Sequence, residues 1–325
     1  MPKIGFSRFF FLVQTLLVVC FFYVKGEVCK ETMAAKTVKK ILPRPGTHWV
    51  GNGFKVFPVF SNLAFTQEIS PFLMLDYAAP KEFSPSLRKK GVGMHPHRGF
   101  ETVTIAFQGE VEHGDNLGHS GVIKEGDVQW MTAAKGIIHE EFHSNEFSKK
   151  GGMFEMVQLW VNLPKKHKMD PPRYQPIFSK DIPTTTLSSG DINDGSVRII
   201  AGQVNDVKGP AKTFTPVNLW DVQINTTEKE FDFKFEDGHN VMVFVRKGGI
   251  ICIGSENKQL GAQDMAILES RGEMLTIKGT EDDTKLLILS GEPINEPIAA
   301  RGPFVMNTQE EIIQANRDYH SGNFV

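Results

Sequence analysis

The sequence predicts an all-β protein built from two similar halves, and three observations carry that prediction. Short β-branched runs bounded by turn residues recur along the whole body of the chain. Thirty Gly and 18 Pro in a chain that is 40% hydrophobic call for many turns between short strands. The 325 residues are about twice a usual globular domain, so two domains are expected. With 25 Phe and 23% charged residues there is material for packed cores, which excludes wholesale disorder. The net charge of −2 argues against direct nucleic-acid binding, because proteins that grip phosphates carry a basic excess. Cys20, Cys29 and Cys252 are too few for a disulfide framework or a thiolate zinc site, and they suit a reducing compartment.

Taken in order, residues 1–32 form an apolar leader. Lys3 and Arg8 precede the apolar run 9–24, and Gly26 follows, which is the shape of a secretory signal and short for a membrane span. Met33 opens a polar segment that would serve equally as the start of a soluble protein, and no membrane span is expected in the body. The first half, 41–168, contains strand-like runs at 101–107, ended by Gln108-Gly109, and at 154–163, stopped by Pro164. A Pro- and Ser-bearing stretch, 169–194, is read as the connection. The second half, 195–292, repeats the habit at 197–204, 217–224, 241–245, 249–253 and 286–289. In the tail, 293–325, Thr308 and Glu311 form a capping box. Ile312, Ile313, Ala315 and Tyr319 follow at helical spacing, so a helix packing against a barrel is expected.

Six of the ten histidines fall between positions 95 and 143. His95 and His97 stand at i and i+2, so on an extended strand both imidazoles point to one face. His139 and Glu141 have the same relation. Two neighbouring strands of this kind would join three imidazoles and a carboxylate, with Glu101 as an alternative carboxylate because it shares the parity of His97. Such a nitrogen and oxygen donor set with open positions suits Fe(II), and is compatible with Mn, Ni, Cu or Zn. A rival motif overlaps it: His139, Glu140 and His143 satisfy H-E-x-x-H, the signature of a zinc hydrolase when it lies on a helix. Gly136, Ile137 and Ile138 are a poor helix start, and that reading leaves His95 and His97 without a role. His113 and His119 flank a hairpin-like loop and read as rim residues, and His143 is expected beyond its strand's end. Trp130 and Phe142 read as core and the stretch 165–168 as a solvated lysine loop. No P-loop, nucleophile elbow or dinucleotide glycine turn occurs.

The strings HPHRGFETV at 95–103, GDVQWMTA at 126–133, GIIHEE at 136–141, LWVNL at 159–163 and GPFVMNT at 302–308 resemble the pirin family, most of all plant pirin-like proteins. The likeness runs from about Ile41 to Tyr319. It implies a bicupin: two facing antiparallel β-barrels, the N-terminal one (41–168) binding metal and the C-terminal one (195–292) metal-free, with the C-terminal helix packed on the first. It also implies Fe(II) held by His95, His97, His139 and Glu141. Ala134-Lys135 departs from the Gly-Arg pair common in the family. Two functions are implied. One is a redox-sensitive regulatory cofactor for nuclear or cytoplasmic protein partners such as transcription regulators. The alternative is a flavonol (quercetin) 2,3-dioxygenase using O2, in which Glu141 is both ligand and catalytic base. The family's habit places the protein in nucleus and cytoplasm, the alternative being the secretory pathway through the 1–26 leader.

Overall fold

Strands buried on both faces set the architecture. In a computed structural model, residues 34–61, 66–189, 192–254 and 256–324 are described; the leader and the start at Met33 lie outside them. Each half forms a barrel from a seven-stranded antiparallel sheet facing a four-stranded one. In the first barrel the four-stranded sheet runs Gly91–His97, Ile137–His143, Val111–Asp115, Ser120–Ile123. Its seven-stranded partner has Phe100–Gln108 and Gly152–Asn162 near its centre and Arg173–Ile177 at one edge. Residues 100 to 106 are all buried, because one face of their sheet lines the barrel and the other meets the second barrel. Val103, Ile105, Trp130 and Leu159 join Leu219, Met242, Phe244 and Leu289 in one cluster spanning both barrels. The second barrel fills its own interior with apolar chains, among them Trp220, Val222, Phe233 and Phe235.

The stretch 169–194 is paired rather than free. Arg173–Ile177 pairs with Val128–Thr132 of the first barrel, and Thr184–Ser189 pairs with Ile192–Ala201 of the second. The chain thus crosses between barrels by covering an open sheet edge on each, which satisfies backbone groups that an edge leaves bare. The N-terminal strand Val38–Leu42 does the same for the second barrel, pairing with Met265–Leu268. Lys36 anchors it: its buried ammonium donates to the carbonyls of His239, Glu269 and Ser270 at 3.1, 3.2 and 2.7 Å.

The C-terminal helix, Gln309–Ser321, starts at the capping box: Glu311 N–H donates to Thr308 Oγ1 and Thr308 N–H to Glu311 Oε2. Its buried Ile312 and Ala315 pack with Phe304, Met306 and Phe324 against Ile138 of the first barrel.

One ion network crosses the apolar interface. Arg246 Nη2 and Nε donate to Glu155 Oε1 at 2.7 and 3.1 Å, and its Nη1 donates to Asp221 Oδ1 at 2.8 Å. Tyr77 adds a 2.8 Å hydrogen bond to the same Glu155 oxygen, and the guanidinium lies over the Phe107 ring. Burial pushes the Glu155 carboxyl up, but Arg246 and the hydrogen bonds from Gln108 and Tyr77 more than offset this and hold it below the usual range. Removing the cation alone strands a buried carboxylate. Arg246→Met is therefore expected to lower unfolding free energy by about 3–5 kcal/mol in urea titrations, and the double variant Arg246→Met/Glu155→Leu to regain much of that loss.

Candidate metal centre

The strand Ile137–His143 alternates strictly, with Ile137, His139, Glu141 and His143 buried on one face. It pairs antiparallel with Gly91–His97 so that His139 stands opposite His95 and Ile137 opposite His97. Residues directly opposed in such a pair share a face, so the three imidazoles converge. Their ring centroids lie 4.4 Å (His95–His139), 4.8 Å (His95–His97) and 5.0 Å (His97–His139) apart. One nitrogen from each ring lies within 4.8 Å of the others. His97 and His139 are buried, while His95 is partly exposed and marks the open side.

The donor atoms fit a metal. His97 Nδ1 and both ring nitrogens of His139 are buried without a hydrogen-bond partner, an arrangement that is costly unless something else takes the lone pairs. Burial, reinforced by the neighbouring imidazoles, pushes the pKa of His97 and His139 well below the ordinary range, so both rings are neutral. His95 Nδ1 donates to the Gly93 carbonyl at 2.9 Å, which leaves Nε2 as the free lone pair. Neutral imidazoles with one nitrogen oriented by the backbone are the form that divalent transition metals bind.

Glu141 shares the inward face but stands beside the imidazole group, because the pairing register slips by one residue between His139 and Glu141. Thr104 Oγ1 lies 3.3 Å from Glu141 Oε1 and 2.8 Å from Gln158 Oε1, and its single proton is shared between these two acceptors. Burial raises the pKa of Glu141, while the charge of His95 and the Thr104 bond pull it back. Glu101 lies elsewhere. The turn at Gly99 (φ 91°) resets the parity, so Phe100, Thr102 and Thr104 line the barrel while Glu101 points with Val103 to the opposite face. There it accepts from Thr132 Oγ1 at 2.7 Å, and burial pushes its pKa up to about 7. Of the two carboxylates, Glu141 shares the inward face of the imidazole strand and Glu101 does not, but the group of donor atoms that converges among the described residues is His95, His97 and His139 alone.

Several supporting residues were invisible in the spacing. Phe100 and Trp160 pack edge-on against His97, with centroids at 5.3 and 5.4 Å. Arg98, inside the HPHRG string, donates to Asp318 Oδ2 at 2.6 Å and to the Phe324 carbonyl at 2.9 Å, tying the C-terminal helix to the turn that carries His97. Lys168, expected in a solvated loop, is instead buried. Its ammonium donates to Asn162 Oδ1 and to the carbonyls of Gly99 and Val305 at 2.6, 2.7 and 3.0 Å, and burial lowers its pKa to about 7. Trp130 is core, as expected. His113 is partly buried and stacks on Tyr174, whereas the side chain of His119 is largely exposed.

The H-E-x-x-H reading is corrected. Residues 139–143 are extended, so Glu140 points away from His139, and His139 and His143 are roughly 13 Å apart along the strand. His143 also lies within the strand rather than beyond it. It is buried in a cage of Phe54, Phe83, Phe147 and Phe154, and its Nε2 donates to the Gly53 carbonyl at 3.0 Å.

Comparison with known proteins places this geometry. Residues 53–161 match the family model described as Pirin, and residues 219–325 match the Pirin C-terminal cupin domain. A Pseudomonas aeruginosa protein provisionally named quercetin 2,3-dioxygenase is 48% identical over 290 residues, covering 89% of this chain and 99% of that protein. A pirin-like protein of Solanum lycopersicum is 38% identical over 258 residues, covering 79% of this chain and 82% of its own. A crystal structure of quercetin 2,3-dioxygenase from Acinetobacter baumannii superposes with a TM-score of 0.86 at 48% identity, covering 90% of this chain and 99% of that one.

The caged His143 makes acid stability testable. Burial lowers its pKa from 6.5 to about 4, only partly offset by the Gly53 hydrogen bond. The unfolded state then takes up the proton first, so the contribution is complete above about pH 6.5 and is lost as pH falls toward 4. At about 1.4 kcal/mol per pKa unit this is on the order of 3 kcal/mol. Urea titrations at several pH values should show that slope in the native chain and a shallower one in His143→Phe. Equal slopes would show that the imidazole is not the titrating group.

Proposed function

The chain belongs to the pirin family, and from that premise we propose that it is a metal-dependent dioxygenase that opens the heterocycle of flavonols such as quercetin with O2. The observation that carries this reading is the convergence of three imidazoles on the inner face of the first barrel, on the strand that also carries the buried Glu141. In this reading His95, His97, His139 and Glu141 hold the ion, Fe(II) foremost, with Mn, Ni, Cu or Zn compatible with the same donors. When bound, such an ion supplies Lewis acidity toward a substrate hydroxyl and a redox partner for O2.

The chain's own residues supply the rest. Glu141 takes the proton of the flavonol hydroxyl, and burial strengthens it as a base relative to an exposed carboxylate. The Thr104 hydroxyl fixes which oxygen of Glu141 is presented, and Gln158 in turn holds Thr104. Phe100 and Trp160 wall the site on the His97 side and keep water from the deprotonated substrate. The Pseudomonas aeruginosa and Acinetobacter baumannii relatives carry the enzymatic reading in their names, the former provisionally, and the expected role as a regulatory cofactor for nuclear partners gains no support from the relatives described.

Iron-reconstituted protein should consume O2 with quercetin faster than free iron does. His97→Ala should lose most of its metal and activity together, whereas Glu101→Gln should keep both. In whatever fraction retains metal, Glu141→Gln should lower kcat by about 10²–10⁴-fold, the usual contribution of a positioned base. Turnover no better than free iron, or undiminished in His97→Ala, would sink the assignment.

A further inference from the structure

Two strands of the first barrel end their sheets without pairing with each other: Ser120–Ile123 closes the four-stranded sheet and Arg173–Ile177 the seven-stranded one. The seam between them holds a cavity of about 320 Å³, within the range of small-molecule sites. Tyr174, Pro176 and Phe178 alternate along one wall, Gly121 and Ile123 lie on the other, and Gln129 lies between them. A Cβ at position 121 would come within 2.8 Å of His113 Nε2, displacing the imidazole that stacks on Tyr174 at 5.5 Å and 27°.

The cavity is apolar in most of its lining, yet it meets one polar side chain that the protein leaves unused. Gln129 is 5% exposed and makes no side-chain hydrogen bond among the described residues. Behind the lining, Nδ1 of His113 is buried and unpartnered, and the Tyr174 hydroxyl is turned to the Asp115 carboxylate. Buried groups of this kind cost stability unless a ligand completes them.

Strand register then connects the seam to the metal centre on both sheets. On the seven-stranded sheet Pro176, Gln129, Thr104 and Gln158 are successive cross-strand neighbours, and Thr104 donates to Glu141. On the four-stranded sheet Gly121, His113 and Glu141 are successive neighbours, two strand spacings or about 10 Å from seam to carboxylate. We infer that this lateral cleft is the binding site for a planar, hydroxylated aromatic ligand, whose ring lies along Tyr174 and the apolar edges and whose hydroxyl and carbonyl oxygens pair with Gln129, at the rim of the strands that lead to Glu141. An amide offers both a donor and an acceptor, so Gln129 matches the keto-hydroxyl edge of a flavonoid in either orientation. As a substrate path the cleft rests on the dioxygenase reading; as a binding site it does not.

The experiment separates the two. Metal-free protein, in which no chelation can occur, is titrated with the flavone luteolin, which lacks the 3-hydroxyl that ring opening needs, and metal-loaded protein is assayed with quercetin and O2. Pro176 is exposed on the inner edge of the seam, so Pro176→Trp should fill the cleft and weaken luteolin binding by about tenfold or more. Gln129→Leu should weaken it by about fivefold to tenfold through the lost hydrogen bonds, with metal content unchanged in both variants. KM for quercetin should rise in parallel. Should Pro176→Trp fail to fold, Gln129→Leu decides. Native metal-free protein that does not bind luteolin, or binding and KM within about twofold of native in the variants, overturns the cleft. Binding lost as expected, with no quercetin turnover by the native protein, keeps the cleft and removes the dioxygenase reading.

Discussion

Everything at the candidate metal centre depends on one pairing register, that of Gly91–His97 against Ile137–His143. His95 faces His139 across this pair, and a slip of one residue would carry His95 and His97 to the outer face and disperse the donors. The register is pinned from several directions. Asn52 Oδ1 accepts from Gly91 N–H at 2.8 Å at one end, and Asn116 and Ile138 exchange hydrogen bonds near the other, with Asn116 Oδ1 accepting from Ile138 N–H at 3.1 Å. Beyond His97, Arg98 is clamped by Asp318 and the Phe324 carbonyl, and Lys168 grips the Gly99 carbonyl. The C-terminal tail, more than two hundred residues away in sequence, therefore helps to set where an imidazole stands.

The two barrels show one architecture put to different uses. In the second, inward positions are filled by a continuous apolar cluster around Trp220 and Phe235. In the first, the interior is divided along its strands. His143 and four phenylalanines fill one end, the imidazole group occupies the other, and a polar band of Glu141, Thr104, Gln158 and Gln129 lies between. An apolar end gives rigidity, and a polar band beside it holds Glu141 in a water-poor environment that raises its proton affinity. The buried Arg246 network adds rigidity between the barrels by a different route, since its charges are matched within the interface itself.

Much of this was legible in the sequence where the governing physics is local. The 217–224 run is a strand from end to end because Pro216 and Asn225 bound an apolar alternation. Thr308 starts the final helix because the capping box needs only residues three apart. His95, His97 and His139 converge because parity holds within each strand, and the family likeness supplied their pairing. The rest turned on distant partners. Arg173–Ile177 and Val38–Leu42 are strands because sheet edges elsewhere in the chain need covering. Lys168 is buried because carbonyls 69 and 137 residues away surround its ammonium, and no local lysine-rich pattern reports that. Glu101 shared the arithmetic of His97 but not its face, since the intervening turn at Gly99 breaks the count. His143 kept the parity of His139, and only pairing with Val111 shows that the strand continues that far.

Anomalous X-ray scattering at the iron absorption edge, from crystals of the iron-loaded protein, locates the ion and its ligands together. One strong anomalous peak per chain is expected inside the first barrel, within bonding distance of a nitrogen from each of His95, His97 and His139 and of a carboxylate oxygen of Glu141. A peak bonded elsewhere, or one at the imidazoles with Glu141 left out of reach, would contradict this ligand set.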